Sequence, residues 1–160
     1  MKIALITGSC GLVGSESVEF FIKKKFKVIG IDNDFRKFFF GKDASTSWIK
    51  NLLKKKYSKN YQHFNADITK IKELEQIFKK YKNKIKVVIH SAAQPSHDWA
   101  ASNPELDFNV NAIGTLNMLN LTKKYLDKKI PFIYMSTNKV YGDNPNKLKI
   151  KEDKLRFELE

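Results

Sequence analysis

Three glycines, spaced three residues apart directly after a short apolar run, constrain this chain more than any other feature. The run Lys2–Thr7 is rich in β-branched residues and predicts a buried strand. The pattern T-G-x-x-G-x-x-G follows, and Leu12–Lys25 then carries apolar residues at helical spacing. In this context Gly8 permits a tight turn, Gly11 lets the backbone approach a pyrophosphate, and Gly14 lets helix and strand pack closely. The segment therefore predicts a phosphate cradle at a helix N-terminus; the alternative is a glycine-rich turn that binds nothing.

Strand-like and helix-like segments alternate along the chain. The predicted strands are Lys2–Thr7, Phe26–Ile31, Tyr61–Asn65, Lys86–His90 and Ile130–Met135, and the predicted helices are Leu12–Lys25, Ser47–Tyr57, Ile71–Lys82 and Pro104–Leu126. Such alternation is typical of parallel strands joined by right-handed crossovers. We therefore expect an α/β fold, a Rossmann-type doubly wound parallel sheet with strand order 3-2-1-4-5 that stops before a sixth strand. Residues 1–142 would form this Rossmann-type domain, and residues 143–160 a polar tail.

Two aspartates follow predicted strands at positions where an acid can recognise a nucleotide. Asp32 closes the second strand, 18 residues after Gly14. A carboxylate there can hydrogen-bond the hydroxyls of an adenosine ribose and repel a 2′-phosphate, which favours NAD over NADP; the alternative is an aspartate that only ends a strand. Asp67 follows the third strand, where it either accepts a hydrogen bond from an adenine amino group or caps the helix predicted at Ile71.

The chain is strongly basic, with a formal net charge of +13. Only Arg36 and Arg156 among its 30 basic residues are arginines, whereas nucleic-acid surfaces use arginine for bidentate contacts to phosphate and guanine. The lysines form short, scattered runs at the ends of helical patterns, where a cation meets the negative end of the helix dipole. We expect a solvated lysine surface and no nucleic-acid partner. Lysines gathered on one face would favour the nucleic-acid alternative.

Other sequence features exclude further classes of protein. No apolar run reaches the ~18 residues of a membrane span, so no membrane partner is expected. The single cysteine, Cys10, excludes an internal disulfide and is typical of the reducing cytoplasm. Because Cys10 lies inside the glycine pattern, we expect its backbone alone to contribute there. His63, His90 and His97 lack the spacing of metal ligands, and no metal is expected.

Several short motifs carry a family resemblance. They are the glycine pattern, Asp32-Asn33, Asp67-Ile68 and Ala92-Ala93, together with the stretches HSAAQPSHDWA at 90–100 and STNKVYGD at 136–143. The short motifs resemble the extended short-chain dehydrogenase/reductases, the NAD-dependent epimerases and dehydratases of sugar nucleotides. The two stretches look like the CDP-paratose 2-epimerase (CDP-tyvelose epimerase) branch. The resemblance implies NAD as cofactor, a CDP-linked deoxysugar as substrate, transient oxidation and re-reduction at sugar C2, and a homo-oligomeric full-length enzyme.

The resemblance also implies roles for single residues. The segment Ser91, Ala92, Ala93, Gln94 would pass under the ribose and phosphates of NAD, and Asn111 would lie near the cofactor on the long helix. Thr137 would be the catalytic hydroxyl that hydrogen-bonds the reacting sugar. The alternatives are a core amide for Asn111 and a strand-end cap for Thr137. The other implied cofactor contacts are Cys10, Leu12, Val13, Asn33, Arg36 and Ile68.

One family motif is missing. The family carries a Tyr-x-x-x-Lys pair beyond the stretch that holds Thr137, but no tyrosine follows Tyr141, and Tyr125 with Lys129 lies before the fifth strand. We therefore expect the N-terminal part of a nucleotide-sugar epimerase that is inactive alone. One alternative is a sugar 4-epimerase or a 4,6-dehydratase; Asn138-Lys139 after Thr137 disfavours the dehydratase. The other is a dinucleotide-binding module without catalysis.

Overall fold

Five parallel strands form the central sheet of the computed structural model, which describes residues 2–137, 140 and 142–160. The strands are β1 (Ile3–Thr7), β2 (Lys27–Ile31), β3 (Tyr61–Phe64), β4 (Ile85–His90) and β5 (Phe132–Tyr134). Their spatial order is β3-β2-β1-β4-β5, which confirms the predicted order. Every residue of β1 is buried because helices cover both faces of the sheet. We call the end where the strands begin the amino edge and the end where they finish the carboxyl edge.

Four longer helices cover the two faces and build two hydrophobic cores. They are α1 (Leu12–Lys23), α3 (Ser47–Lys56), α4 (Ile71–Tyr81) and α7 (Gly114–Tyr125). Ala4 and Ile6 of β1 share one core with α1 and α3. Ile3 and Leu5 share the other core with α4 and α7. The alternation of side chains along β1 thus supplies both layers. No helix within the described ranges is long and apolar enough to cross a membrane.

Short elements around the carboxyl edge differ from the prediction. The helix expected over 104–126 is divided into α6 (Pro104–Phe108), a π-helical segment (Asn109–Ile113) and α7. Two further helices, α2 (Arg36–Phe40) and α5 (His97–Ser102), are not among the four predicted helices. Each has six residues or fewer, too short to show a hydrophobic period. A 3₁₀ turn covers Lys42–Ala44.

The C-terminal segment, predicted only as a polar tail, contains a hairpin that is not part of the main sheet. A 3₁₀ turn at Asn144–Lys147 precedes β6 (Ile150–Glu152) and β7 (Phe157–Leu159), which pair antiparallel as a two-stranded sheet. Both strands have three residues and are largely exposed, so their sequences show no burial period. Among the described residues, β5 is therefore the last strand of the main sheet.

The tertiary structure gathers most of the lysines at the amino edge. Each covering helix runs opposite to the strands, so its C-terminal lysines end there. Backbone hydrogen bonds join the neighbouring loops: Ile3 N–H donates to Lys84 O and Lys27 N–H donates to Lys2 O, both at 2.9 Å. The eighteen lysines of this edge are Lys2, Lys23, Lys24, Lys25, Lys27, Lys54, Lys55, Lys56, Lys59, Lys79, Lys80, Lys82, Lys84, Lys86, Lys123, Lys124, Lys128 and Lys129. The lysine runs are scattered along the sequence, but the common direction of the helices brings them to one edge of the sheet.

Candidate functional site

A cavity of about 260 Å³ lies at the carboxyl edge. There the glycine loop, residues 8–14, meets the ends of β2, β3 and β4. Its lining residues are Gly8, Gly11, Leu12, Val13, Gly14, Ile31, Asp32, Asn33, Phe35, Arg36, Phe39, Thr46, Ala66, Asp67, Ile68, Ser91, Ala92, Ala93, Pro95 and Val110. They include every predicted cofactor residue apart from Cys10, Gln94 and Asn111. Segments distant in sequence thus converge because parallel strands end at one edge.

Close backbone contacts build the glycine loop. Gly8 has φ +65°, the left-handed region that favours glycine, and a Cβ there would lie 2.8 Å from the Ser91 and Ala92 backbone. A Cβ on Gly14 would lie 1.9 Å from Gly8 O. Gly11 is different, because its Cβ would meet only Gly8 O, at 3.3 Å. Gly8 and Gly14 are therefore required by packing, whereas Gly11 leaves open space in front of the first turn of α1.

The Asp32 carboxylate lines the cavity and also organises the loops around it. Its Oδ2 accepts a hydrogen bond from Cys10 N–H at 3.0 Å, and its Oδ1 accepts one from Asp34 N–H at 2.8 Å. Burial raises the pKa of Asp32, although these two backbone hydrogen bonds oppose the shift. The fold thus holds an acid in a partly desolvated wall of the cavity.

Asp67 shapes a turn at the end of β3. Its Oδ1 accepts hydrogen bonds from the N–H and the hydroxyl of Thr69, each at 2.8 Å. Helix α4 begins at Ile71, and the residue that precedes it is Lys70. The helix-cap alternative for Asp67 is therefore wrong, and the residue lies on the cavity wall.

Three predicted contact residues lie outside the cavity lining. The Cys10 thiol faces Ser9, Tyr61 and His63, and burial raises its pKa to about 11, so it is an inert thiol. The amide groups of Gln94 and Asn111 bond to each other's segment instead: Gln94 N–H donates to Asn111 Oδ1 at 2.9 Å, and Asn111 Nδ2 donates to Gln94 O at 3.1 Å. These hydrogen bonds within the fold occupy both side-chain amides, and the expected places of Gln94 and Asn111 near the cofactor stay predictions.

The predicted catalytic hydroxyl does not line this cavity. Thr137 is exposed, three residues beyond the end of β5, and is not among the lining residues. Asn138, Lys139 and Tyr141, which entered the sequence argument, lie outside the described residues.

Several lining residues were not predicted from the sequence, chiefly Phe35, Phe39 and Thr46. Phe35 and Phe39 belong to an aromatic run between the second and third strands, and their rings meet edge to face at 4.7 Å between centroids. An aromatic run in a long connection was the available signal. Which of these rings face the cavity depends on the formation of α2, and the sequence pattern does not reveal that helix.

His90, at the end of β4, ties three elements together behind the cavity. Its ring nitrogens contact Thr7 Oγ1 at 2.7 Å and Thr115 Oγ1 at 3.0 Å. The Thr115 hydroxyl donates to Asn111 O at 2.6 Å, so it accepts from His90 Nε2–H, and Nδ1 accepts from Thr7. Burial lowers the pKa of His90 to about 4, and the imidazole is neutral at pH 7.

Comparison with known proteins identifies the family. The family model described as GDP-mannose 4,6 dehydratase matches residues 5–156. The chain belongs to this family. Its members are NAD-dependent epimerases and dehydratases that act on nucleotide sugars, which confirms the family resemblance stated above.

Individual relatives of this epimerase/dehydratase family member differ in activity. CDP-paratose 2-epimerase of Salmonella typhi is 34% identical over 143 residues, which are 89% of this chain and 38% of the relative. UDP-glucuronate 4-epimerase of Thermodesulfobacterium geofontis is 35% identical over 147 residues, 91% of this chain and 42% of the relative. The solved UDP-glucose 4-epimerase of Thermus thermophilus, a complex with NAD, has a TM-score of 0.60 and 28% identity over 77% of this chain and 34% of its own. The chain spans about two fifths of the length of these curated relatives.

Proposed function

We propose that the chain binds NAD in the carboxyl-edge cavity and forms the cofactor-binding part of a nucleotide-sugar epimerase. The observation that carries this proposal is the convergence of the glycine loop, Asp32 and Asp67 on one cavity. Family membership supports the proposal, because the family is NAD-dependent.

The residues present fit a dinucleotide. Because Gly11 has no side chain, space is left in front of the first turn of α1. Backbone N–H groups and the helix dipole favour a pyrophosphate in that space. Asp32 would accept from the adenosine ribose hydroxyls, and Asp67 from the adenine amino group. Phe35 and Ile68 would offer apolar surface to the adenine ring, and Ser91, Ala92 and Ala93 also line the cavity.

The proposed reaction is oxidation and re-reduction of one sugar carbon. When bound, NAD supplies the hydride acceptance and return. The chain's own residues bind and orient: the carboxyl-edge loops hold the cofactor, and the Thr137 hydroxyl holds the reacting sugar hydroxyl. The sequence after Thr137 supplies no base of the family's Tyr-x-x-x-Lys type.

Within the family we favour action at C2 of a CDP-linked deoxysugar. The support is the resemblance of residues 90–100 and 136–143 to that branch and the 34% identity to CDP-paratose 2-epimerase. The 35% identity to UDP-glucuronate 4-epimerase keeps a 4-epimerase as the second candidate. Assays of CDP-linked and UDP-linked sugars with a chain extended through the Tyr-x-x-x-Lys region separate the two.

Calorimetric titration of the purified chain with NAD⁺ and NADP⁺ tests the cofactor assignment. We expect NAD⁺ to bind about tenfold or more tightly than NADP⁺, because a 2′-phosphate beside the Asp32 carboxylate is a like-charge contact worth several kcal/mol when desolvated. Asp32→Ser should reduce the ratio of the affinity for NAD⁺ to the affinity for NADP⁺. Equal affinity of the two cofactors for the wild-type chain would contradict the role of Asp32.

We also propose that the 160-residue chain is inactive alone. A positioned acid or base contributes about 10²–10⁴-fold to rate, and the sequence lacks the family's tyrosine and lysine in their usual place. Chromatographic assay of a CDP-deoxysugar with the purified chain and NAD⁺ should show no epimer. Turnover would mean that another residue is the base.

A second candidate function rests on the amino edge. Among the described residues, three acids contact these eighteen lysines: Glu19, Glu75 and Asp127. The sum of these charges is more positive than the net +13 of the whole chain. Such an edge fits the phosphate backbone of a nucleic acid without base readout. Anisotropy with a fluorescent DNA duplex should show salt-sensitive binding that Lys25→Glu with Lys84→Glu weakens and Lys70→Glu with Lys72→Glu does not. Equal losses in both pairs would contradict a role of the edge.

A further inference from the structure

We propose that Trp99 is a positioning residue that holds α2 over the cofactor cavity and thereby slows cofactor release. We call the contacts of Trp99 with Phe38 and Phe39 the Trp99 clasp. The proposal rests on the proposed function, since it takes the ligand of the cavity to be NAD. The juxtaposition is between α2, which follows β2, and α5, which follows β4. These two helices stand on opposite sides of the glycine loop in the strand order.

The contact between the two helices is specific. Trp99 Nε1–H donates to Phe39 O at 2.8 Å, across 60 residues of sequence. The Trp99 ring also packs against Phe38 and Phe39, with centroid distances of 5.4 Å in both pairs. One side chain of α5 thus holds both the backbone and the rings of α2.

Helix α2 in turn forms a wall of the cavity. Phe39 is buried and lines the cavity, together with Arg36 on the same helix and Phe35 directly before it. Phe35 stacks on Phe38 at 5.1 Å and meets Phe39 at 4.7 Å. Because Phe38 and Phe39 both touch Trp99, the position of this wall depends on the Trp99 contact.

Hydrogen bonds fix both anchors of the clasp. On the α5 side, Ser96 Oγ accepts from Trp99 N–H at 3.3 Å, and Gln94 Nε2 donates to Ser96 O at 2.9 Å and to Asp107 Oδ1 at 3.1 Å. Gln94 and Asn111, which do not line the cavity, thus hold the base of α5. This partly buried polar network therefore positions α5, a role that does not depend on direct cofactor contact.

On the α2 side, Asp34 adopts φ +58°, an uncommon conformation for a non-glycine residue. Its carboxylate accepts from Ser45 Oγ and from Thr46 N–H, both at 2.6 Å. Burial opposes ionisation of Asp34, but these hydrogen bonds outweigh it and lower its pKa. The chain on each side of α2 is therefore tied down, and Thr46 itself reaches the cavity.

The five-residue α2 cannot persist as an isolated helix, because helices this short are marginal in water. Its tertiary contacts hold it, and Trp99 supplies the hydrogen bond that links it to the far side of the cavity mouth. Loss of that link should let α2 open and release the cofactor. Slow release suits the proposed epimerisation, in which the cofactor is restored in every turnover.

The test compares Trp99→Leu, Trp99→Phe and the control Trp48→Leu, which changes an exposed tryptophan on α3. Stopped-flow displacement measures NAD dissociation, and hydrogen exchange of the α2 amides is measured without cofactor. We expect Trp99→Leu to speed dissociation about tenfold, the order set by one hydrogen bond and the ring contacts, and to speed α2 exchange. Trp99→Phe, which keeps a ring, should give a smaller change, and Trp48→Leu none.

The outcomes separate the clasp from the proposed function. Wild-type release rates and wild-type α2 exchange in Trp99→Leu would overturn the clasp, provided that thermal unfolding shows a folded variant. If Trp99→Leu does not fold, the same result in Trp99→Phe overturns it. A wild-type chain that binds no NAD contradicts the proposed function instead, and α2 exchange in the cofactor-free variants then still decides whether Trp99 holds α2.

Discussion

The two edges of the sheet differ in how closely their residues are packed and in how far they are exposed. At the carboxyl edge the loops approach so closely that a single Cβ on Gly14 would lie 1.9 Å from Gly8 O, and buried polar groups such as Asp32 and His90 are held by hydrogen bonds. At the amino edge the lysines are exposed, apart from the partly covered Lys27, and their ion pairs lie on the surface.

The difference follows from the direction of the helices. Helix α1 starts at the carboxyl edge, where its positive dipole end faces the cavity and the acids Asp32 and Asp67 line the wall. The C-terminal ends of α1, α3, α4 and α7 lie at the amino edge, and each carries lysine in its last turn. The carboxyl edge therefore depends on the close packing of particular residues, whereas the amino edge depends only on its positive charge. Three predictions test this difference between the two edges.

The largest effect is expected at the glycine loop. Gly14→Ala forces a Cβ into the Gly8 backbone and should destabilise the chain by about 3 kcal/mol or more. Gly11→Val should cost clearly less stability than Gly14→Ala, because a Cβ on residue 11 meets only Gly8 O, at a tight 3.3 Å, but it should abolish NAD binding. Urea unfolding and NAD titration of both variants make the measurement. Similar losses of stability in the two would refute the distinction between packing and binding glycines.

A smaller effect is expected from pH. His90 has a pKa of about 4 in the fold against an ordinary 6.5, so the unfolded chain binds the proton more tightly. The free energy of unfolding should therefore fall as pH drops from about 6.5 to 4, by at most about 3 kcal/mol from this residue. Urea melts of wild type and His90→Asn at several pH values measure the slope. An unchanged slope in the variant would show that His90 does not carry the effect.

The smallest effect is expected at the amino edge. Exposed substitutions away from buried features change stability by about 0.5 kcal/mol or less, so Lys25→Gln with Lys84→Gln should be nearly neutral. At low salt a slight stabilisation is expected, because neighbouring like charges repel and salt screens them. The melting temperature of this double variant is measured at about 10 mM and about 300 mM NaCl. It is compared with that of the control double variant Lys70→Gln with Lys72→Gln. A large loss of stability would place this edge with the carboxyl edge.

Much of the fold was predictable because its signals are local. The strands are short apolar runs, the longer helices show a helical period, and Gly8 marks a positive φ that the T-G-x-x-G-x-x-G spacing announces. The cavity lining around Asp32 and Asp67 followed from the same topology. The cytoplasmic location and the catalytic role of Thr137 stay predictions.

The short elements were not predictable, because distant contacts hold them. Helix α2 depends on Trp99, 60 residues from Phe39, and a five-residue window carries no period that could reveal it. Gln94 and Asn111 matched a family motif, but the motif does not say whether an amide faces a ligand or another segment. Their mutual hydrogen bonds decide that.

The sequence by itself determined the strand order, the cradle and the edge at which a cavity forms, since periodicity and glycine spacing are properties of neighbouring residues. Only the tertiary structure decided which side chains line that cavity, how Trp99 contacts α2 in the cavity wall, and where the lysines meet. Those outcomes depend on distances through space between segments far apart in the chain. Each run of two to four lysines indicates only a helix end, and it takes the common direction of four helices to bring the runs to one edge.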